Sequence, residues 1–167
     1  MLFSMNQYQV KLEQYKEEVV QVGTEKAWQM LEEAGLPCMI FINKTDKEGV
    51  NVNAVLADLK SSLSKSCVII ESLEDPVLME AIAESDDSLL EKYLAVLRLS
   101  VEEIKGGLSL AVNRRKLFPV IVGSALTDKG IKDLLEDIVQ YLPDPSRRGT
   151  LMASDPLKTE EKKEIIF

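Results

Sequence analysis

Three short stretches of this chain are apolar at every position: Cys38-Met39-Ile40-Phe41-Ile42, Cys67-Val68-Ile69-Ile70 and Leu117-Phe118-Pro119-Val120-Ile121-Val122. A strand wetted on one face alternates apolar and polar residues. A strand covered on both faces does not, and such strands belong to parallel sheets enclosed by helices. The segments between and after these runs carry the matching helical signal. Val52, Val55, Leu56, Leu59 and Leu63 recur at spacings of three and four, as do Ile131, Leu134, Leu135, Ile138 and Leu142 before Pro143 and Pro145. Strands alternating with helices predict an α/β chain with an open, mostly parallel sheet and right-handed crossovers. Pro119 lacks an N–H donor, so it is expected at a strand's start or on a sheet edge.

The remaining segments fill in around this frame. Tyr8, Leu12, Tyr15, Val19 and Val22 share a helical face, Gly23 interrupts, and a second helix is predicted over 24–34 with Ala27, Trp28 and Leu31 inward. Gly35 ends it. A loop over 71–76 leads into three helical patterns over 77–83, 87–97 and 101–112, the last opened by Ser100 and Glu103 at capping-box spacing. Arg147-Arg148-Gly149 and the charged stretch 158–164 read as a linker or tail. The apolar ending Ile165-Ile166-Phe167 reads as the opening of a strand in a following domain. The expected division is therefore a helical segment over 1–22, a unit over 23–146 with a helical insert at about 72–113, and a tail over 147–167.

Composition removes several classes of chemistry. The 167 residues contain no histidine and two cysteines, Cys38 and Cys67, each inside an apolar run. Zinc centres, histidine acid–base catalysis and the Ser-His-Asp triad all lack their parts, and the thiols read as buried, reduced and structural. A net charge of -8 argues against broad contact with nucleic acid, though not against docking on a nucleoprotein through a local patch. No apolar stretch approaches the roughly 20 residues that cross a bilayer, and the first residues lack the pattern of a signal peptide. A cytoplasmic protein is the expectation.

In a doubly wound sheet, ligands bind beyond the carboxyl ends of the strands, which directs attention to the residues just after Ile42 and Val122. Asn43-Lys44-Thr45-Asp46 comes directly after the first run. An ionised Asp accepts two parallel hydrogen bonds, and guanine offers two parallel donors, its ring N1–H and its amino group. Adenine presents an acceptor there, so the same carboxylate discriminates by about 1–3 kcal/mol. The methylenes of Lys44 can lie along the base, and Asn43 can tie the loop to a neighbour. Gly123-Ser124-Ala125-Leu126 comes directly after the third run. Small residues there allow a backbone N–H to approach the guanine carbonyl oxygen. Helix capping is the ordinary alternative for the first motif and a simple turn for the second; their occurrence together, at two strand ends, favours one shared site.

These two motifs resemble the fourth and fifth signature motifs of GTP-binding domains. Val22-Gly23-Thr24-Glu25-Lys26-Ala27-Trp28, the stretch from Glu84 to Leu94, and Asp133-Leu134-Leu135-Glu136-Asp137-Ile138-Val139 narrow the likeness. They are similar to elongation factor G and to the tetracycline-resistance ribosomal protection proteins, over about residues 21–145. The resemblance implies a cytoplasmic translational GTPase that binds GTP or GDP with Mg²⁺ and acts on the ribosome in translocation. It further implies that Asn43, Lys44 and Asp46 read guanine and that Ala125 does so through its backbone, flanked in the motif by Ser124 and Leu126. The fold it implies is a partial P-loop-type GTP-binding domain: a parallel sheet remnant flanked by helices, with a mainly helical insert.

The departures are as informative. The sequence contains no G-x-x-x-x-G-K-[ST] motif, the element that cradles phosphates and supplies a lysine and a metal-binding hydroxyl. The likeness begins downstream of the switch segments, and residues 1–20 do not resemble the apolar strand the family has there. The expectation is a fragment that recognises guanine, provides no Mg²⁺ ligands and does not hydrolyse GTP alone. The alternative is a non-catalytic interaction module with a vestigial nucleotide site. An open sheet edge or the N-terminal helical stripe is expected to bring copies of the chain together.

Overall fold

In the computed structural model, the described residues are 22–144, 150–155 and 158–166. Their elements run α1 (Val22–Glu33), β1 (Ile40–Ile42), α2 (Val52–Ser62), β2 (Cys67–Ile69), α3 (Pro76–Glu84), α4 (Asp87–Val96), α5 (Val101–Asn113), β3 (Phe118–Val122), α6 (Ile131–Tyr141), β4 (Thr150–Asp155) and β5 (Lys158–Ile166). The expected helix over 6–22 lies outside the described residues, except for Val22.

Local chemistry starts the helices. Asn51 accepts from the Ala54 N–H at the head of α2, and Asp75 accepts from Val77 at the head of α3, where Pro76 takes the first-turn position that needs no donor. Asp86 caps α4. Ser100 and Glu103 form the expected reciprocal box at α5. Gly23 does not interrupt α1, which begins at Val22; one glycine costs a helix only about 1 kcal/mol.

The strands β1, β3 and β2 form one parallel sheet in that spatial order, with Ile40, Phe41 and Ile42 opposite Val120, Ile121 and Val122, and with Cys67, Val68 and Ile69 opposite Phe118, Pro119 and Val120. Both faces are covered, which is why the runs are continuously apolar. On one face Ile42, Cys67, Phe118 and Val120 pack with Trp28 of α1 and Leu59 of α2. The Trp28 and Phe118 rings meet edge to face at 4.6 Å between centroids. On the other face Val68 and Leu117 pack with Leu78, Leu108, Val112 and Tyr141 from α3, α5 and α6. Of the residues expected to face inward from α1, Trp28 is buried and Leu31 partly so, but Ala27 is exposed.

Pro119 corrects part of its expectation. It is the second residue of the central strand, not an edge residue. Phe118 donates to Ser66 on the β2 side and Gly123 donates to Ile42 on the β1 side. Alternation along the strand therefore turns the nitrogen of Pro119 toward β1, whose pairing starts one residue later at Val120. The missing donor leaves no ladder bond unmade.

The charged stretch read as linker or tail is instead an extended strand: β5 pairs antiparallel with β4, from Thr150 opposite Ile166 to Asp155 opposite Lys158. The helical character of 77–112 is as expected, in the three helices α3, α4 and α5.

Candidate guanine-recognition site

The sheet topology creates a crevice before any side chain is considered. Strand β1 is followed by α2 on the Trp28 face, whereas the adjacent strand β3 is followed by α6 on the opposite face. Neighbouring parallel strands whose chains leave to opposite sides define a switch point, where the two exit loops stand apart and ligands bind. Those exit loops are residues 43–46 and 123–126, so the two predicted motifs lie side by side.

Backbone and side-chain bonds lock the loops together. The Gly123 N–H donates to the Ile42 carbonyl at 3.0 Å, and the Gly123 carbonyl accepts from both the N–H and the hydroxyl of Thr45, at 3.2 and 3.0 Å. The Asn43 carboxamide oxygen accepts from the Lys44 N–H at 2.7 Å and from the Ala125 N–H at 2.9 Å. This is the loop-to-loop tie expected of Asn43. It also occupies the N–H that sequence reasoning assigned to the guanine oxygen, so a base would have to share or displace that bond. Lys44 adopts a left-handed conformation, with φ of 65°, and its side chain is exposed.

Ser124 organises the acid. It is fully buried, and its hydroxyl donates to a carboxylate oxygen of the exposed Asp46 while accepting from the Thr127 N–H at 3.4 Å. The Ser124 hydroxyl is the main reason the Asp46 carboxyl titrates below its ordinary value; its own backbone N–H and Lys47 act in the same direction, against partial desolvation. Asp46 is thus held as an anion with acceptor capacity left on both oxygens. Leu126, the last residue of the motif, stands out at 84% exposure.

Two features escaped sequence reasoning. Thr45 was given no role, yet it makes two of the bonds between the loops. Gly123 was read as making room for a ligand, whereas the nearer constraint is internal. A Cβ there would lie 2.1 Å from the Lys129 carbonyl and 3.0 Å from the Phe41 ring. Lys129 comes this close because its carbonyl accepts from the Ser124 N–H, in a return turn completed by Asp128 and Gly130 at positive φ. Positive φ at Gly130 is a conformation glycine adopts freely.

Away from the rim, both cysteines are free thiols, with Cys67 buried and its pKa pushed up to about 11, chiefly by burial. Among the described residues no three His, Cys, Asp or Glu side chains converge to hold a metal ion, and no helix is long and apolar enough to cross a membrane.

Comparison with known proteins agrees with this geometry. Residues 12–144 match the model of the elongation factor Tu GTP-binding domain family. A crystal structure of a protein from Thermus thermophilus superposes with a TM-score of 0.66 at 31% identity, covering 78% of this chain and 26% of that one. The chain thus spans about a quarter of the length of the protein it superposes on. With the match running over well beyond half of its length, the chain belongs to the elongation factor Tu GTP-binding domain family.

Proposed function

We propose that this chain is the guanine-recognising part of an elongation factor G-like GTP-binding domain and does not hydrolyse GTP by itself. In this reading Asp46 takes the N1–H and amino group of guanine, and Lys44 covers the base. Asn43 and Ser124 hold the loops, while Ala125 and Leu126 border the carbonyl edge. The observation that carries it is the joining of the two motifs at the switch point, with Asp46 kept anionic by a buried hydroxyl. A carboxylate preset to accept two parallel donors selects guanine over adenine.

Hydrolysis asks for more. Phosphoryl transfer depends on gripping the phosphates and neutralising developing charge, and the sequence offers no G-x-x-x-x-G-K-[ST] loop to do either. No step is assigned to Mg²⁺ in this reading. Ribosomal translocation in the cytoplasm is the role proposed for the parent protein. Purified chain incubated with GTP and Mg²⁺ is expected to release phosphate at the background rate. Turnover that disappears in Asp46→Ala would come from this site and contradict the proposal.

A second reading has one observation in its favour. Leu94, Val96, Leu97 and Val101, around the junction of α4 and α5, are all exposed apolar residues, as an interaction module would present them. If that module is the whole function, Leu94→Glu with Leu97→Glu abolishes partner binding while guanosine binds no better than adenosine.

Self-association is also proposed, through the edge of β1 that faces away from β3 and the flank of α6 where, among the described residues, Leu135 is 59% and Val139 85% exposed. Light scattering over a concentration series is expected to show mass rising with concentration, and Leu135→Glu with Val139→Glu to suppress the rise.

A further inference from the structure

A concave site of about 730 Å³ opens at the end of the sheet opposite the guanine rim, where α2, α3 and α5 finish and β2 and β3 begin. Its walls carry Lys60 from the last turn of α2, Lys65 from the turn into β2, and Arg115 with Lys116 from the turn into β3. Two carboxylates, Glu80 and Glu84 of α3, face these four cations. In a chain of net charge -8, a local excess of positive charge is conspicuous.

Cations gather at helix carboxyl ends because carbonyl groups there are unpaired, and that accounts for half of the set. Lys116 donates to the Ser85 carbonyl that caps α3, and Arg115 donates to the Glu32 carbonyl at the end of α1. It does not account for the other half. Among the described residues Lys60 and Lys65 make no ion pair and no side-chain hydrogen bond. Lys116 keeps two N–H donors after serving Ser85.

We infer that this basal pocket binds phosphate groups, gripped by Lys60 and Lys65 with Lys116 and the Ser66 hydroxyl beside them. A carboxylate would leave most of these donors unused, whereas a phosphate brings more oxygens and more charge. The cavity has the size of a ligand site, so the phosphate can come from a small phosphorylated molecule or from an RNA backbone. It is not the phosphate of a nucleotide at the rim, since the five-residue strand β3 separates the two sites by roughly 15 Å. The site is independent of the guanine reading.

Amide chemical shifts of the full chain, titrated separately with inorganic pyrophosphate and with a single-stranded RNA tetramer, test this. Saturable shifts at Lys60, Lys65, Ser66 and Lys116 are expected, weakening at least tenfold as salt is raised and disappearing in Lys60→Gln with Lys65→Gln. That double variant should retain the parent spectrum elsewhere, because neither side chain is tied to the fold. Tighter binding of RNA by tenfold or more identifies a nucleic-acid backbone as the source, and equal binding a free phosphorylated molecule. No shifts at these residues with either probe, or shifts that persist in the double variant, overturn the inference.

Discussion

Asp46 and Ser124 are 78 residues apart, yet their pairing joins the two exit loops and is the contact on which the proposed guanine recognition rests. Because the Asp46 carboxyl is lowered from its ordinary 3.8 by the Ser124 hydroxyl, its contribution is complete above 3.8 and lost only as pH falls through the depressed folded value. Guanosine binding is therefore expected to stay constant from pH 7 to pH 5 and to fail only in stronger acid. In Ser124→Ala the carboxyl titration, followed by NMR, should move up toward 3.8. Thr45→Val removes one bond to Gly123 at constant shape, so about 1 kcal/mol, or about fivefold in guanosine affinity, should be lost. Gly123→Ala drives a methyl into the Lys129 carbonyl and should lower stability by about 3 kcal/mol in urea unfolding. The loop-to-loop tie of Asn43 was legible because that chemistry belongs to the side chain itself. The bonds of Thr45 and of the Ala125 N–H were not, since they depend on where two backbones far apart in sequence meet.

Elements repeat the pattern. Continuous apolar runs announced strands covered on both faces, and the spacing of Ser100 and Glu103 announced where α5 begins. Strand order was hidden: β3, last of the three in sequence, lies between the others, and nothing local to Phe118–Val122 says so. The antiparallel hairpin of β4 and β5 was hidden too, because charged residues in Lys158–Ile166 carry no periodic apolar signal. The cap of α5 offers a direct check. Its Glu103 carboxyl is held at about 2, first by Lys92 and then by the Ser100 backbone N–H. A lowered folded value means the cap stabilises fully above 4.5 and weakens as pH falls toward about 2. Ser100→Ala should cost about 1 kcal/mol at neutral pH. Leu108→Ala, on the buried face of the same helix, should cost about 2–5 kcal/mol.

For the whole molecule, the sheet's two faces and its switch point bring the two exit loops together at one end, where the proposed base-reading rim lies, and among the described residues β1 and β2 are the outer strands. Affinity at such a rim without a phosphate grip is expected near the millimolar range, about -4 kcal/mol. Its selectivity is the decisive quantity. NMR titration of the chain with guanosine, adenosine and xanthosine measures it directly. Shifts at Asp46, Ser124 and Ala125 with guanosine but not adenosine are expected, with the preference moving from guanosine toward xanthosine in Asp46→Asn. Equal responses to guanosine and adenosine, or an Asp46→Asn rim that still prefers guanosine, would contradict the account.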